Sequence, residues 1–210
     1  MTPDLMSSIL FYLSLLFSLC VHEAAHAAMG TWCGDDTARL QGRLTLNPLA
    51  HIDLLGTVIL PGFLILSGSG FLFGWAKPVP FNPSRLNNIR RDPVLIAIAG
   101  PASNLLLAFL FISITRLLSI TVGLESLPSG LLEFFFMTIL LNFILVVFNL
   151  IPVPPLDGHY VLDYFLPPEG QRILRKIGPF GIIIAIFIAR PLFGVVVPVL
   201  REFIFFAIGV

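Results

Sequence analysis

Long apolar runs separated by short polar stretches dominate the chain. Residues 5–29, 94–118 and 131–151 each form a predominantly apolar run of more than 20 residues. A helix of about 20 such residues crosses the ~30 Å hydrocarbon core of a bilayer, so each run predicts a transmembrane helix. Residues 177–210 are also apolar but contain an internal Arg-Pro pair. That pattern fits either one long kinked span or a broken pair of helices.

A further apolar run, residues 54–73, is interrupted by residues that break helices. It contains Gly56, Pro61, Gly62, Gly68 and Gly70. Irregular backbone at membrane depth is tolerated only where it is buried in protein or lines a cavity. We therefore predict that this run is a broken or re-entrant segment rather than a complete span.

The polar stretch after the first span carries a different pattern. Gly30 predicts the end of the first helix, and residues 37–46 alternate polar and apolar side chains. Alternation with a period of two is typical of a half-exposed strand, so we predict a small β-hairpin or strand here. His51 and Asp53 follow, and either could bind a metal, although capping of the next helix is the favoured role.

The amino-acid composition indicates that these apolar runs belong to a membrane protein. Of the 210 residues, 57% are hydrophobic and 11% charged, against about 25% charged in soluble domains. Twelve basic and twelve acidic residues give no net charge, which argues against nucleic acid as a partner. Cys20 and Cys33 are too few for a disulfide framework. The first apolar run lacks a basic leading region and is too long for a signal peptide, so we expect it in the mature protein.

The predicted fold is an all-α multi-pass membrane protein. It has about four full transmembrane helices, one re-entrant or broken segment, and a small cytoplasmic β-hairpin or strand. Neither an internal repeat nor a low-complexity linker is present. Residues 1–210 are therefore predicted to form a single membrane-embedded domain, with a core at about 5–160 and a carboxyl-terminal membrane segment at 177–210.

Inside the first span lies the sequence HEAAH, residues 22–26. On a helix, His22 and His26 share one face and could bind one metal ion together, while the adjacent Glu23 could activate a water at that metal. A lone membrane histidine could be satisfied by a hydrogen bond to another helix. Two histidines and a glutamate at metal-binding spacing cost much more free energy to bury in a membrane than one histidine does. A bound zinc ion would offset that cost, so the pattern favours a zinc site.

The third clear span leads into NLIPVPPLDG, residues 149–158. Its prolines remove backbone donors and end the helix, so Asp157 becomes a natural third metal ligand. Asp157 could instead cap a following helix, and His159 is an alternative ligand that would compete for the same geometry. The choice among these roles stays open on spacing alone.

Charge bias gives an independent test of this arrangement. Basic residues in the polar stretches predict the cytoplasmic side; they are Arg39, Arg43, Lys77, Arg85, Arg90, Arg91, Arg172, Arg175 and Lys176. All lie on one side only if residues 54–73 return to the side they entered. The same path delivers Asp157 to the membrane face of His22 and His26.

These motifs, in this order, resemble the site-2 protease family of intramembrane zinc metalloproteases. The resemblance rests on HEAAH, on AGPASN at residues 99–104 and on NLIPVPPLDG. GRLTLNPLAHID and GWAKPVP resemble the small bacterial branch that lacks a PDZ domain. The resemblance implies one zinc ion per chain, transmembrane helices around it, and cleavage of membrane-anchored proteins in or near their spans.

The resemblance also implies roles for individual residues. The family's zinc ligands match His22, His26 and Asp157, its general base matches Glu23, and its substrate or oxyanion asparagine matches Asn149. A cytoplasmic strand near residues 39–46 is implied to pair with extended substrate. We accordingly predict substrate contacts for Asn104, Arg43 and Leu44.

The predicted function is therefore an intramembrane zinc metalloendopeptidase in the cell membrane (inner or plasma), with its active site towards the cytoplasmic side. Its predicted partners are a transmembrane protein substrate and the lipid bilayer. One alternative is a metal-ion transporter or channel that uses the same residues, and another is a catalytically idle relative that binds membrane proteins as a scaffold. Transporters tend to show repeated halves, which this chain lacks.

Overall fold

The computed structural model describes residues 5–68 and 74–209, and in these residues all regular structure is helical. Four helices are long and apolar enough to cross a membrane. They are α1 (Leu5–Trp32), α4 (Asp92–Thr121), α5 (Ser129–Asn149) and α8 (Gly181–Ile208). Shorter helices connect them: α2 (Thr37–Leu40), α3 (Leu60–Leu66), α6 (Gly158–Phe165) and α7 (Pro168–Ile177). The predicted multi-pass helical architecture is confirmed.

Helix α1 continues past its predicted end. Its last residue is Trp32, and Gly34 adopts a left-handed conformation with φ of 98°. The N–H of Asp35 donates to the Gly30 carbonyl and that of Gly34 to the Thr31 carbonyl. This Schellman pairing ends the helix two residues after Gly30, because Gly34 supplies the reversal that Gly30 was expected to supply.

Helices α1, α4 and α5 pack against one another as the centre of the bundle. Ser14 and Ser18 of α1 contact Thr138 and Asn142 of α5 in the same order, so α1 and α5 run in the same direction. Helix α4 runs the opposite way, since its beginning at Ile96 lies beside His26 near the end of α1. The ends of α1 and α5 and the start of α4 therefore meet at one end of the bundle.

Helix α8 is one continuous helix through Pro191 and Pro198, which decides between the two predicted paths. It packs on α4 and α5 through an apolar cluster that includes Ala108, Ile139 and Ile204, all fully buried. It begins so close to the loop after α5 that a Cβ on Gly181 would overlap the Pro154 carbonyl. Helix α8 thus supports the segment that carries Asp157.

The predicted broken segment is irregular and turns back on itself. A π-helical stretch, Leu54–Ile59, continues into α3, and together they extend only about 20 Å. The hydroxyl of Thr57 donates to the Trp75 carbonyl at 2.8 Å, and the N–H of Lys77 donates to the His51 carbonyl at 2.9 Å. The chain therefore returns to its point of entry; residues 69–73 of the predicted segment lie outside the described residues.

The predicted β-hairpin at residues 37–46 is wrong. Thr37–Leu40 is a single helical turn, and turns follow it, with the N–H of Gly42 bonded to the Arg39 carbonyl and that of Arg43 to the Ala38 carbonyl. Gly42 has a φ of 70°. These local bonds use backbone N–H and carbonyl groups that a β-strand would pair with a neighbouring strand. The alternation of polar and apolar side chains therefore does not produce a strand here.

We expect Gly56→Ala to destabilise the protein and Gly62→Ala, in the same segment, to leave it intact. A Cβ on Gly56 would overlap the Trp75 indole, whereas no atom of the described residues lies within 4 Å of a Cβ on Gly62. Overpacking of this kind costs about 1–3 kcal/mol. Thermal unfolding in detergent micelles, followed by circular dichroism, measures the difference; equal melting temperatures would contradict the packing.

Candidate metal centre

Three side chains converge at the end of the bundle where α1 and α5 finish and α4 begins. The Nε2 atoms of His22 and His26 lie 3.2 and 3.4 Å from the two carboxylate oxygens of Asp157, and 3.0 Å from each other. Both histidines are buried. Among the described residues, these are the three whose donor atoms are grouped closely enough to bind one metal ion.

In each imidazole, Nε2 faces the centre (the inner nitrogen) and Nδ1 faces away from it (the outer nitrogen). The hydrogen-bond partner of Nδ1 fixes the orientation of Nε2. Nδ1 of His22 lies 2.6 Å from Oδ1 of Asn104, and Nδ1 of His26 lies 2.7 Å from the Ile96 carbonyl oxygen. Both oxygens accept, so each Nδ1 donates a hydrogen and each Nε2 presents its lone pair to the centre.

The centre therefore contains two nitrogen lone pairs and a carboxylate. The Oδ2 atom of Asp157 is buried and lacks a hydrogen-bond donor. Buried acceptors facing one another are unfavourable unless a cation lies between them. Two neutral imidazoles and one carboxylate form a ligand set of the kind used by catalytic zinc sites, so the residues fit a zinc ion with one open position.

Gly100 of α4 makes room for both imidazoles. A Cβ at this position would lie 2.5 Å from Nε2 of His26 and 2.6 Å from Cε1 of His22. No side chain fits there without displacing at least one of the rings. The glycine of AGPASN is therefore part of the construction of this site.

Asp157 reaches the centre from an irregular loop, residues 150–157, that follows α5. It directly precedes α6, but its side chain makes no capping bond to that helix. Gly158 follows, where a Cβ would overlap the Leu150 carbonyl, so the loop can close tightly only with glycine. His159 bonds to the Leu156 carbonyl at 2.6 Å and lies outside the group of three.

Glu23 is half-buried beside the two histidines in sequence. Its carboxylate accepts a hydrogen bond from the N–H of Val79 at 2.9 Å. Val79 lies between Pro78 and Pro80, which have no N–H, so it supplies the one backbone donor of the Pro-Val-Pro stretch. The carboxylate of Glu23 is thus oriented by an extended part of the chain, residues 74–82.

The other predicted site residues are more scattered. Asn149 donates to the Leu145 carbonyl one turn earlier in α5, and Asn104 is fully buried against His22. Arg43 is buried and donates to the Ala50 carbonyl, while Leu44 is exposed.

The two residues left open as ligands or caps lie apart from the metal centre. Asp53 caps the π-helical stretch by accepting from the N–H groups of Leu55 and Gly56. His51 is buried, with its Nε2 bonded to the Thr45 carbonyl at 2.9 Å. Of the two, Asp53 is therefore the helix cap.

A buried carboxylate fixes the polar loops at this end of the bundle. Burial alone would raise the pKa of Asp35, but hydrogen bonds from Thr37 and from the N–H of Asn82 lower it below its ordinary value. Asp35 is therefore ionised at neutral pH. It ties the end of α1 to the segment that precedes α4.

Comparison with known proteins places the chain in a family. The model of Peptidase family M50 matches residues 113–189. A Bacillus subtilis protein named "Putative zinc metalloprotease YwhC" is 40% identical over 82% of this chain and 76% of its own length. The chain belongs to peptidase family M50. It is therefore a metalloprotease, which decides against the transporter alternative.

More distant members of family M50 also match. Proteins named "Putative zinc metalloprotease Rip2" from Mycobacterium tuberculosis and Mycolicibacterium smegmatis are 34% and 33% identical over 85% and 81% of this chain. The chain spans 66% and 62% of their lengths. No solved structure matches. The resemblance drawn from the motifs is confirmed.

Two polar residues behind the metal centre of this peptidase were not predicted from the sequence. Asn142 and Ser18 are fully buried and hydrogen-bonded to each other and to Asn104. A signal was present: Ser14, Ser18, His22 and His26 recur every fourth residue in an apolar run, which marks one polar stripe on α1.

We expect Gly100→Ala to abolish binding of the metal, because the added methyl group displaces the imidazole rings. Gly194→Ala is the matched control, since in the part of the chain that the structure describes nothing lies within 4 Å of a Cβ on Gly194 in α8. Elemental analysis of the purified proteins gives metal per chain. Full metal content in Gly100→Ala would show that the rings do not need this space.

Proposed function

We propose that the chain is an intramembrane zinc metalloendopeptidase that hydrolyses peptide bonds of membrane-anchored proteins within or near their transmembrane segments. The observation that carries this proposal is the convergence of His22, His26 and Asp157 inside a bundle of apolar helices, with one buried carboxylate oxygen left without a donor. The names of the relatives specify zinc, which agrees with this ligand set.

In the proposed mechanism, zinc held by these three residues supplies Lewis-acid activation of a water molecule and a peptide carbonyl. Glu23 accepts the proton of the attacking water and returns it to the leaving amine nitrogen. The N–H of Val79 orients the Glu23 carboxylate for this transfer.

Asn149 is proposed to hold the substrate carbonyl as negative charge develops on its oxygen. It lies at the end of α5, directly before the loop that carries Asp157. One amide hydrogen bonds to the Leu145 carbonyl, and the other has no acceptor among the described residues. A donor at this position would stabilise the oxyanion by a few kcal/mol, roughly as in other acyl-transfer enzymes.

A helical substrate must unwind before cleavage, because its carbonyls are engaged in hydrogen bonds within the helix. Arg43 and Leu44 remain proposed substrate contacts, but through turns rather than through a strand. Asn104, predicted as a substrate contact, is fully buried behind His22, so we propose that it orients this histidine instead. Residues 1–210 are proposed to act as one catalytic domain.

The active site is proposed to lie towards the cytoplasm. The end of the bundle at which the three ligands meet also carries Arg39, Arg85, Arg90 and Arg91 in its connecting segments. The connection at the opposite end, between α4 and α5, contains a single charged residue, Glu125. This asymmetry follows the excess of basic residues in cytoplasmic loops.

Two substitutions test the assignment of base and ligand. We expect Glu23→Gln to retain one zinc ion per chain but to cleave a single-span model substrate at least about 10²-fold more slowly, because general-base catalysis is lost. We expect Asp157→Ala to lose both zinc and activity, because one of three protein ligands is gone. Zinc content and cleavage rate are measured on the same preparations.

Active Glu23→Gln enzyme would refute Glu23 as the base, and a full zinc content in Asp157→Ala would refute Asp157 as a ligand. Chelation of the wild-type protein serves as the control: activity falls and returns when zinc is restored.

The orientation is tested by labelling exposed cysteines in sealed right-side-out vesicles with an impermeant maleimide. Ser84 and Ser126 are exposed at opposite ends of the bundle, and the native Cys20 and Cys33 are buried. We expect Ser126→Cys to be labelled and Ser84→Cys to be labelled only after the vesicles are opened. The reverse pattern would place the active site on the outer side.

A further inference from the structure

A chain of hydrogen bonds runs behind the metal centre through three transmembrane helices. Asn104 of α4 accepts from Nδ1 of His22 and donates to Oδ1 of Asn142 in α5 at 2.7 Å, and to the Ser18 carbonyl at 3.3 Å. Asn142 donates to the Thr138 carbonyl and to the Ser18 hydroxyl, both at 2.8 Å. The two amides, Ser18 and Thr138 are all fully buried.

The direction of every bond in this chain is fixed. A backbone carbonyl can only accept, so the amide nitrogen of Asn142 must face Thr138, and its oxygen then faces Asn104. Asn104 must therefore turn its nitrogen towards Asn142 and its oxygen towards His22. The Nδ1 atom of His22 accordingly carries the hydrogen, and Nε2 keeps its lone pair.

The two ligand histidines are held in the tautomer with hydrogen on Nδ1 by different kinds of acceptor. His26 donates to the Ile96 carbonyl, a backbone acceptor that cannot change its chemistry. His22 donates to a side-chain amide, which could rotate by 180° and present its nitrogen instead. A rotated Asn104 would favour the tautomer with hydrogen on Nε2, and that tautomer cannot bind a metal through Nε2. Two acceptors oppose this rotation: the Ser18 carbonyl at 3.3 Å and, at the shorter distance of 2.7 Å, Oδ1 of Asn142.

We propose that Asn142 is a positioning residue for the zinc ligand His22 and acts through Asn104. By fixing the orientation of the Asn104 amide, Asn142 holds His22 in the tautomer that presents Nε2 to the metal. The inference rests on the proposed zinc site. Partners behind the ligands of a metal typically change its affinity by about 10–100-fold.

The first test measures zinc affinity by competition with a chromogenic chelator in detergent micelles. We expect Asn142→Leu, which has a similar volume but no amide, to bind zinc about 10–100-fold more weakly than the wild type. Thr115→Val is the matched control: Thr115 is buried in α4, and among the described residues its hydroxyl bonds only to the Phe111 carbonyl of its own helix. The control is expected to bind zinc as the wild type does.

The second test reads the tautomer directly, through ¹⁵N NMR of the imidazoles in the zinc-free protein. The chain has four histidines, so the His22 signals can be assigned by substitution. We expect the wild-type His22 to carry a hydrogen on Nδ1, and Asn142→Leu to lose that Nδ1 hydrogen in a substantial fraction of molecules. This shift would not follow from a loss of stability alone.

The outcomes separate this inference from the function on which it rests. A wild-type protein that binds no zinc would overturn the proposed function. A wild-type protein that binds zinc while folded Asn142→Leu binds it equally well, with an unchanged tautomer, would overturn the role of Asn142. If Asn142→Leu does not fold, the wild-type spectrum still decides, because a His22 Nδ1 without hydrogen in the zinc-free protein contradicts the proposed chain.

Discussion

The structure depends on satisfying a small set of polar groups in a bundle that is otherwise apolar. Two imidazoles, a carboxylate and two amides are buried where α1, α4 and α5 meet. Unpaired polar groups in such surroundings cost several kcal/mol each. The helices are therefore constrained to one relative register, in which every amide and outer imidazole nitrogen finds its partner and only the inner acceptors of the metal centre remain.

This register is possible because the backbone at three glycines lies very close to side chains or to other backbone. Gly100 admits the two rings, Gly158 admits the Leu150 carbonyl, and Gly181 admits the loop that carries Asp157. Each glycine lies where one element passes another at a distance that excludes a Cβ. In a membrane, where lipid is as apolar as leucine, such close contacts provide much of the attraction between helices.

The irregular segments contribute residues to the end of the bundle that contains the metal centre. The π-helical stretch and its return bring residues 74–82 across the site, where Val79 reaches Glu23. The loop after α5 brings Asp157 to the histidines of α1. Irregular backbone at membrane depth is tolerated where it lines a site, and here it supplies the N–H of Val79 and the carboxylate of Asp157.

The sequence by itself determined the number of spans, the family, and the pair of histidines on one face of α1. These depend on the length of apolar runs and on spacing of four residues, which are local properties. It also indicated Asp157, through prolines that end a helix. Only the tertiary structure decided that Arg43 lies in turns and that Gly100 must be a glycine. It also decided that Asn142, 124 residues from Ser18, supports His22, because these roles follow from contacts between distant parts of the chain that no local pattern encodes.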